Sequence, residues 1–301
     1  MRVPIIAWCV GFMLLAGCSD KKATTVNKQP PQKTLVIGLI PEQNIFRQME
    51  RYEPLAKYLQ DRTGYKINLV ILPRYGNIID NFVSKGMDGA FFGSFTYTLA
   101  HVKLGVEVIA RPENLDGIST YYGLIFVRKD SGIRNAADMR GKRFAFVDKA
   151  TTAGYLLPLD YFHKNGIKDV QNYFKETYFA GTHEDAIYDV LNKKADIGAA
   201  KNTIFEMLAK SESKIAENLV ILQRSREVPE NSLALRRDIG DEVRGKLREA
   251  LLNMHNDAEG KAVLAAFGAR RFIPTTEDDF APIHRYAKEI HLDLSTYDYT
   301  N

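Results

Sequence analysis

Two adjacent threonines mark the point where this chain is best built to hold an anion. The stretch Asp148-Lys149-Ala150-Thr151-Thr152-Ala153-Gly154-Tyr155 follows the apolar, β-type run Arg143-Phe144-Ala145-Phe146-Val147. It leads into the helical pattern Tyr155-Leu156-Leu157-Pro158-Leu159-Asp160-Tyr161-Phe162. A strand-to-helix junction of this kind is a natural anion seat. The first helical N–H groups have no internal partner, the helix dipole adds partial positive charge, and threonine hydroxyls donate hydrogen bonds. The competing reading is structural, with Thr151 or Thr152 serving only to cap a helix.

Such a junction needs a sheet behind it, and the flanking sequence supplies one. Residues 34–39 read as a buried strand closed by Pro41, and 54–59 as an amphipathic helix that stops at Gly64. A strand at 67–72, a helix at 75–85 ending at Gly86, a strand at 87–92, a helix at 94–104 and a strand at 106–110 follow. The alternation then restarts. Strands are expected at 122–128, 143–147, 195–199, 218–222 and 232–236, with helices at 135–139, 184–192 and 202–209 between them. Helices at 241–253, 260–267 and 278–290 close the chain. Strands and helices in alternation with short links argue for parallel sheets covered on both faces. Two such α/β units place their strand ends near each other, and ligands in such folds sit in the crevice beyond those ends.

The bulk properties narrow the function. At 301 residues the chain holds two domains or one large α/β unit, and 45% hydrophobic with 26% charged residues is a globular composition. A net charge of +4, dispersed along the chain, excludes a nucleic-acid arm. Cys9 lies in the apolar run 3–15, too short to span a bilayer but suited to the core of a secretory signal. That run ends in Leu15-Ala16-Gly17-Cys18, which resembles the lipobox of bacterial lipoproteins. The implied organisation is a signal peptide over 1–17, lipid on Cys18, and a polar tether over 18–33. The product would be a domain leashed to a membrane outside the cytoplasm, with no later run long enough for a transmembrane helix.

Several segments, taken in order, carry a resemblance. They are Pro54-Leu55-Ala56 with Tyr58-Leu59 and Thr63-Gly64, Phe92-Gly93-Ser94-Phe95-Thr96-Tyr97, and Asp130-Ser131-Gly132-Ile133 with Asp138-Met139-Arg140-Gly141-Lys142. Ala150-Thr151-Thr152-Ala153-Gly154-Tyr155 and Thr182-His183-Glu184 with Asp196-Ile197-Gly198-Ala199 complete the set. From about Thr34 to Arg285 the chain resembles the phosphate/phosphite/phosphonate substrate-binding proteins of ABC transporters, the PhnD-like family. The resemblance implies a type II periplasmic-binding fold: two doubly wound α/β lobes joined by a two-segment hinge. One lobe is expected from 34–119 and 230–301, the other from 120–229, with crossings near 117–121 and 224–230.

It also implies a site. Carried over by position, the residues that hold the phosphoryl oxygens are Thr151, Thr152, His183, Tyr75 and Tyr97. The chemistry is coherent, because a desolvated tetrahedral anion needs several convergent donors. Two departures matter. Ala153 removes a hydroxyl from the family's turn. Where phosphonate-specific members use carboxylates to hold a ligand amine, this chain has Lys201 and Asn202, which are expected to favour a more fully anionic ligand; Arg74 and Glu230-Asn231-Ser232 also stand near enough in sequence to reach the cleft. The implied function is capture of a small phosphorus oxyanion for an ABC permease, without cofactor, metal or nucleic acid. A ligand-sensing lipoprotein that reports to a membrane kinase is the alternative. An enzyme is a more distant one, since the mature chain has no His-Glu-x-x-His, no cysteine pair, no free cysteine nucleophile and no nucleophile elbow.

Overall fold

The computed structural model describes residues 33–301, so the expected signal peptide, the lipobox Cys18 and nearly all of the tether lie outside the described residues. Thirteen strands are described: β1 (Thr34–Leu39), β2 (Lys66–Ile71), β3 (Gly89–Phe92), β4 (Glu107–Asn114), β5 (Thr120–Tyr121), β6 (Gly123–Arg128), β7 (Arg143–Phe146), β8 (Glu176–Phe179), β9 (Ile197–Lys201), β10 (Leu219–Arg224), β11 (Val228–Pro229), β12 (Ser232–Leu235) and β13 (Ala269–Pro274). They form a six-stranded sheet in the order β13-β4-β12-β3-β1-β2, a five-stranded sheet in the order β10-β6-β9-β7-β8, and a ribbon of β5 with β11.

The two large sheets repeat one plan. In each, three strands run parallel in the order second, first, third (β2-β1-β3 and β8-β7-β9). Beside the third lies a strand that has just arrived from the other half. That strand is β12 in the first sheet and β6 in the second, and each pairs antiparallel with both neighbours. The sheets are therefore mixed, where the alternation of elements predicts parallel ones. The reason is the connection: a parallel neighbour needs a long crossover, and β12 and β6 enter directly from the ribbon without one. The edge strands β8 and β13 also escape the sequence pattern. β8 is only half buried, and β13 carries two exposed arginines, one of which, Arg271, is held by Glu113 at 3.0 Å.

Local signals set several helices. Asn44 caps the helix Ile45–Thr63 by accepting from the Phe46 and Arg47 N–H groups, and Gly64, at φ 75°, ends it. This helix starts nine residues before the expected Pro54, because Gln48 and Tyr52 continue its buried face towards the N-terminus. Helices 45–63, 241–253 and 258–267 bury Leu55, Leu59, Leu247 and Phe267 against one face of the first sheet. A second buried cluster does not stay within one half. It runs from Ile78, Phe82 and Phe92 through Phe95 and Tyr121 to Val147, Ala153 and Leu156. The two halves thus share apolar contact along the line where the site forms.

The threonine junction has its own geometry. After β7 the chain forms a π-helical turn, Thr152–Leu156, in which the Leu156 N–H donates to Thr151 O at 3.1 Å, and then the α-helix Leu157–Lys164. The turn lies directly on the preceding strand end, since a Cβ on Gly154 would sit 2.4 Å from Val147 Cβ and 2.8 Å from Thr151 Oγ1. Only glycine allows that approach. Gly154→Ala is expected to destabilise the protein by about 1–3 kcal/mol, the range for overpacking a tight core, as read from the urea-unfolding midpoint.

Candidate functional site

Two helix starts touch where the halves meet. From the first sheet, β3 runs through Gly93 into the helix Ser94–Leu104, whose first turn is fully buried. From the second comes the turn at Thr152. The Phe95 N–H donates to Thr152 Oγ1 at 2.8 Å, and Thr96 Oγ1 donates to Ala150 O at 2.8 Å. Ser94 Oγ donates to Pro229 O of the ribbon at 2.5 Å. The Tyr121 hydroxyl, on the other ribbon strand, lies beside the Thr152 and Ser94 side chains, 3.8 Å from where a Cβ on Gly93 would be. Because Thr152 accepts the Phe95 N–H, its own proton stays available to donate. Thr151 differs: its hydroxyl donates to Asp148 O at 2.7 Å inside the same loop, so it shapes the turn.

Beside this contact lies a buried cluster of charge. Lys201, at the end of β9 and 4% exposed, places its Nζ 3.1 Å from Glu42 Oε1, in contact with Glu230 Oε1, and 3.2 Å from Asn231 Oδ1. Its ammonium also sits 4.5 Å from the centre of the Tyr121 ring. Burial works against the charged form of Lys201, but Glu230 and Glu42 outweigh it and hold the ammonium above its ordinary pKa. Burial likewise pushes the Glu42 carboxyl up, and nearby positive charge, led by Lys201, brings it below the ordinary value. Lys201 is therefore more than compensated, one ammonium facing two carboxylates. It offers no free positive charge to a ligand, contrary to the expectation that it would favour a more anionic one.

His183 begins the helix His183–Leu191 and accepts the Lys201 N–H on Nδ1 at 3.2 Å, while its own N–H donates to Glu42 O at 3.2 Å. Burial, with the Lys201 charge acting the same way, holds its pKa down to about 3. The imidazole is neutral, so with Nδ1 accepting, the proton is on Nε2, a donor. The Tyr75 ring meets it edge to face at 5.9 Å. The Tyr75 backbone lies beside the Asp148 carboxylate of the threonine loop. Two buried groups here have no hydrogen-bond partner, the Tyr75 hydroxyl and the Asn231 side-chain NH₂. Asn231 borders the helix start itself, its Oδ1 lying 3.5 Å from where a Cβ on Gly93 would be. A buried unpaired polar group costs about 1–3 kcal/mol, so each of these donors points to an acceptor.

The structure therefore brings Thr152, His183, Tyr75 and Lys201 together, and leaves two expected residues apart. Tyr97 sits one turn up its helix, packs 4.3 Å from the Phe280 ring, and gives its hydroxyl to Glu277 Oε2 at 2.5 Å. It is a structural tyrosine of the first half. Asn202 accepts the Tyr122 N–H at 3.0 Å and donates to Glu206 at 3.3 Å, ties internal to the second half. The tyrosine that reaches the junction from the crossing is Tyr121. It was hidden in the pair Tyr121-Tyr122, with no local signal of which ring turns inward. Ser94 and Glu42 were also missed, although Ser94 lies inside the Phe92–Tyr97 segment. Among the described residues, no group of three or more His, Cys, Asp and Glu side chains is placed to hold a metal.

Two lobes joined by a double crossing, each sheet ordered second-first-third-crossing-fourth, with helix starts converging between them, define a type II periplasmic binding protein. The chain belongs to the family described as "ABC transporter, phosphonate, periplasmic substrate-binding protein", whose model matches residues 37–280. It is 27% identical over 261 residues to the phosphonates-binding periplasmic protein of Escherichia coli, spanning 85% of this chain and 76% of that one. It is 29% identical over 262 residues to the phosphate-import protein PhnD of Mycolicibacterium smegmatis, spanning 82% and 80%. A crystal structure of a binding protein component of an ABC phosphonate transporter from Pseudomonas aeruginosa superposes with a TM-score of 0.81 at 27% identity, covering 86% of this chain and 87% of that chain.

The His183 environment sets a pH dependence. The unfolded imidazole titrates near 6.5 and the folded one near 3, so between these values the unfolded state binds more protons. The stability this confers is present in full above pH 6.5 and declines as pH falls towards 3. His183→Gln should flatten that decline, as measured by urea unfolding at a series of pH values for both proteins.

Proposed function

We propose that this protein captures a small phosphorus oxyanion without a cationic tail, in the contact between the two helix starts, and delivers it to an ABC permease. One observation carries the reading: two buried donors are unpaired, the hydroxyl of Tyr75, whose ring meets His183, and the NH₂ of Asn231, which borders Lys201 and the start of helix 94–104. With Thr152 and His183 they make four neutral donors, which together with the N–H groups and dipoles of helices 94–104 and 152–164 are the groups a desolvated phosphoryl or phosphonyl group requires. The relatives named for phosphonates and for phosphate support the ligand class. The Lys201 ammonium already stands between Glu42 and Glu230, where a ligand amine would have to approach them; this argues for phosphate, phosphite or a simple alkylphosphonate.

The lobes in this reading are 34–119 with 230–301, and 120–229, flexing at the β5–β11 ribbon. Ligand would enter the open form, and contacts that exist only on closure would shift the equilibrium towards the closed one. We assign the hydroxyl of Thr152 to the ligand, and Thr151 to the turn that presents it. A lipid on Cys18 would tether the domain at the membrane surface, with residues 18–33 as the leash. The protein is read as a carrier with no chemistry of its own.

A thermal-shift panel of phosphate, phosphite, sulfate, methylphosphonate and aminoethylphosphonate tests the ligand class, because a ligand that binds the folded state raises its melting temperature. Phosphate, phosphite or methylphosphonate should shift it most; a shift only with sulfate or the aminated compound would reject the reading. Tyr75→Phe should weaken the best ligand by about 10–150-fold in calorimetry, the loss of one hydrogen bond to a charged group, while leaving the free protein no less stable. Cys18→Ser should abolish incorporation of labelled fatty acid and release the protein from the membrane fraction.

A further inference from the structure

The segment after the helix Ala281–Glu289 is bound to both halves at once, and to the threonine loop in particular. On the second half, four hydrogen bonds converge on two consecutive residues. Asn301 Nδ2 donates to Asp148 Oδ2 at 2.7 Å, and the Lys149 N–H donates to Asn301 Oδ1 at 2.9 Å. Lys149 Nζ donates to Thr300 O at 2.5 Å, and the Tyr297 hydroxyl donates to Lys149 O at 2.9 Å. Asp148 and Lys149 immediately precede Ala150-Thr151-Thr152.

The same segment is fastened to the first half. Lys103 Nζ donates to Ser295 O at 3.0 Å, and the Tyr299 hydroxyl donates to Asp80 Oδ1 at 2.7 Å. The Tyr297 ring packs 5.6 Å from Phe95, whose N–H holds Thr152. The Tyr299 ring lies flush on Gly76, where a Cβ would come 2.8 Å from Tyr299 Cδ2, next to Tyr75. Asp148 thus takes a hydrogen bond from Asn301 in the segment, with the Tyr75 backbone of the first half beside the same carboxylate.

We propose that residues 295–301 act as a strap that positions the Asp148–Thr152 loop against the first half and favours the closed arrangement. Tyr297 and Asn301 are its positioning residues; neither is assigned to the ligand. The contacts to Asp148 and Lys149 cross between the halves, so they are made only when the halves are together. Strapping therefore acts on the closed state alone, and its loss should show in opening and in ligand release rather than in ligand encounter. The inference rests on the binding role proposed above for the threonine loop, but its first test needs no ligand.

Spin labels at Glu53→Cys and Lys210→Cys, both exposed and on opposite halves, report the separation of the halves in a Cys9→Ser, Cys18→Ser background. In the ligand-free protein, removing residues 297–301, and separately Asn301→Asp, which sets a carboxylate against Asp148, should each move population to longer distances. A distance distribution unchanged in both variants overturns the strap. With phosphate or methylphosphonate, stopped-flow measurements should show dissociation about tenfold faster and association nearly unchanged, the loss of one to two net hydrogen bonds from the closed state. A slowed association with unchanged dissociation also overturns it. If neither probe binds the unmodified protein, the ligand reading fails and the distance measurement still decides on the strap.

Discussion

Two helix N-termini in direct hydrogen-bonded contact are the constraint around which the site is arranged. Each carries the equivalent of about half a positive charge and unpaired N–H groups, so bringing them together is unfavourable unless electron-rich atoms lie between. The chain supplies such atoms sparingly. Thr152 Oγ1 takes the Phe95 N–H, while Ala150 O and Pro229 O take the hydroxyls of Thr96 and Ser94. What remains is a buried contact with the donors of Tyr75 and Asn231 unfilled. Gly154 matters for the same reason, because the Thr152 turn reaches this position only by lying on Val147.

The charged residues do a different job. Lys201 joins Glu42, from the loop after β1, to Glu230, at the return crossing, and so ties three separate parts of the chain together. A buried ion cluster of this kind is weak evidence for stability, but losing one member leaves an uncompensated charge, so it specifies which surfaces meet. It also spends the one buried lysine of the site on internal carboxylates. Recognition is left to neutral donors and dipoles, which bind an anion without a permanent countercharge that would have to be re-solvated when the ligand leaves.

Much of the architecture was legible in the chain. Strand β1 and the helices 94–104 and 241–253 lie where their apolar patterns place them, because each is bounded by a local signal such as Gly93, Gly105 or Gly240. The elements that escaped, β8 and β13, are edge strands with one side to solvent, where burial leaves little pattern. Strand direction escaped as well. Whether β6 and β12 run parallel or antiparallel to their neighbours depends on which half each enters from, and no local window contains that.

The sequence by itself determined the alternation of strands and helices, the hydroxyl turn after β7, and the order of segments that marks the family. These are properties of neighbours along the chain: periodicity, caps, and glycine where the backbone approaches closely. Only the tertiary structure decided which tyrosine faces the turn, that Tyr97 serves Glu277 while Tyr121 reaches Thr152, and that Lys201 arrives already neutralised. Lys201 and Glu42 are 159 positions apart, and compensation of a charge acts through space. A reading along the chain finds the groups that can meet an anion, and the fold settles which of them are still free to do so.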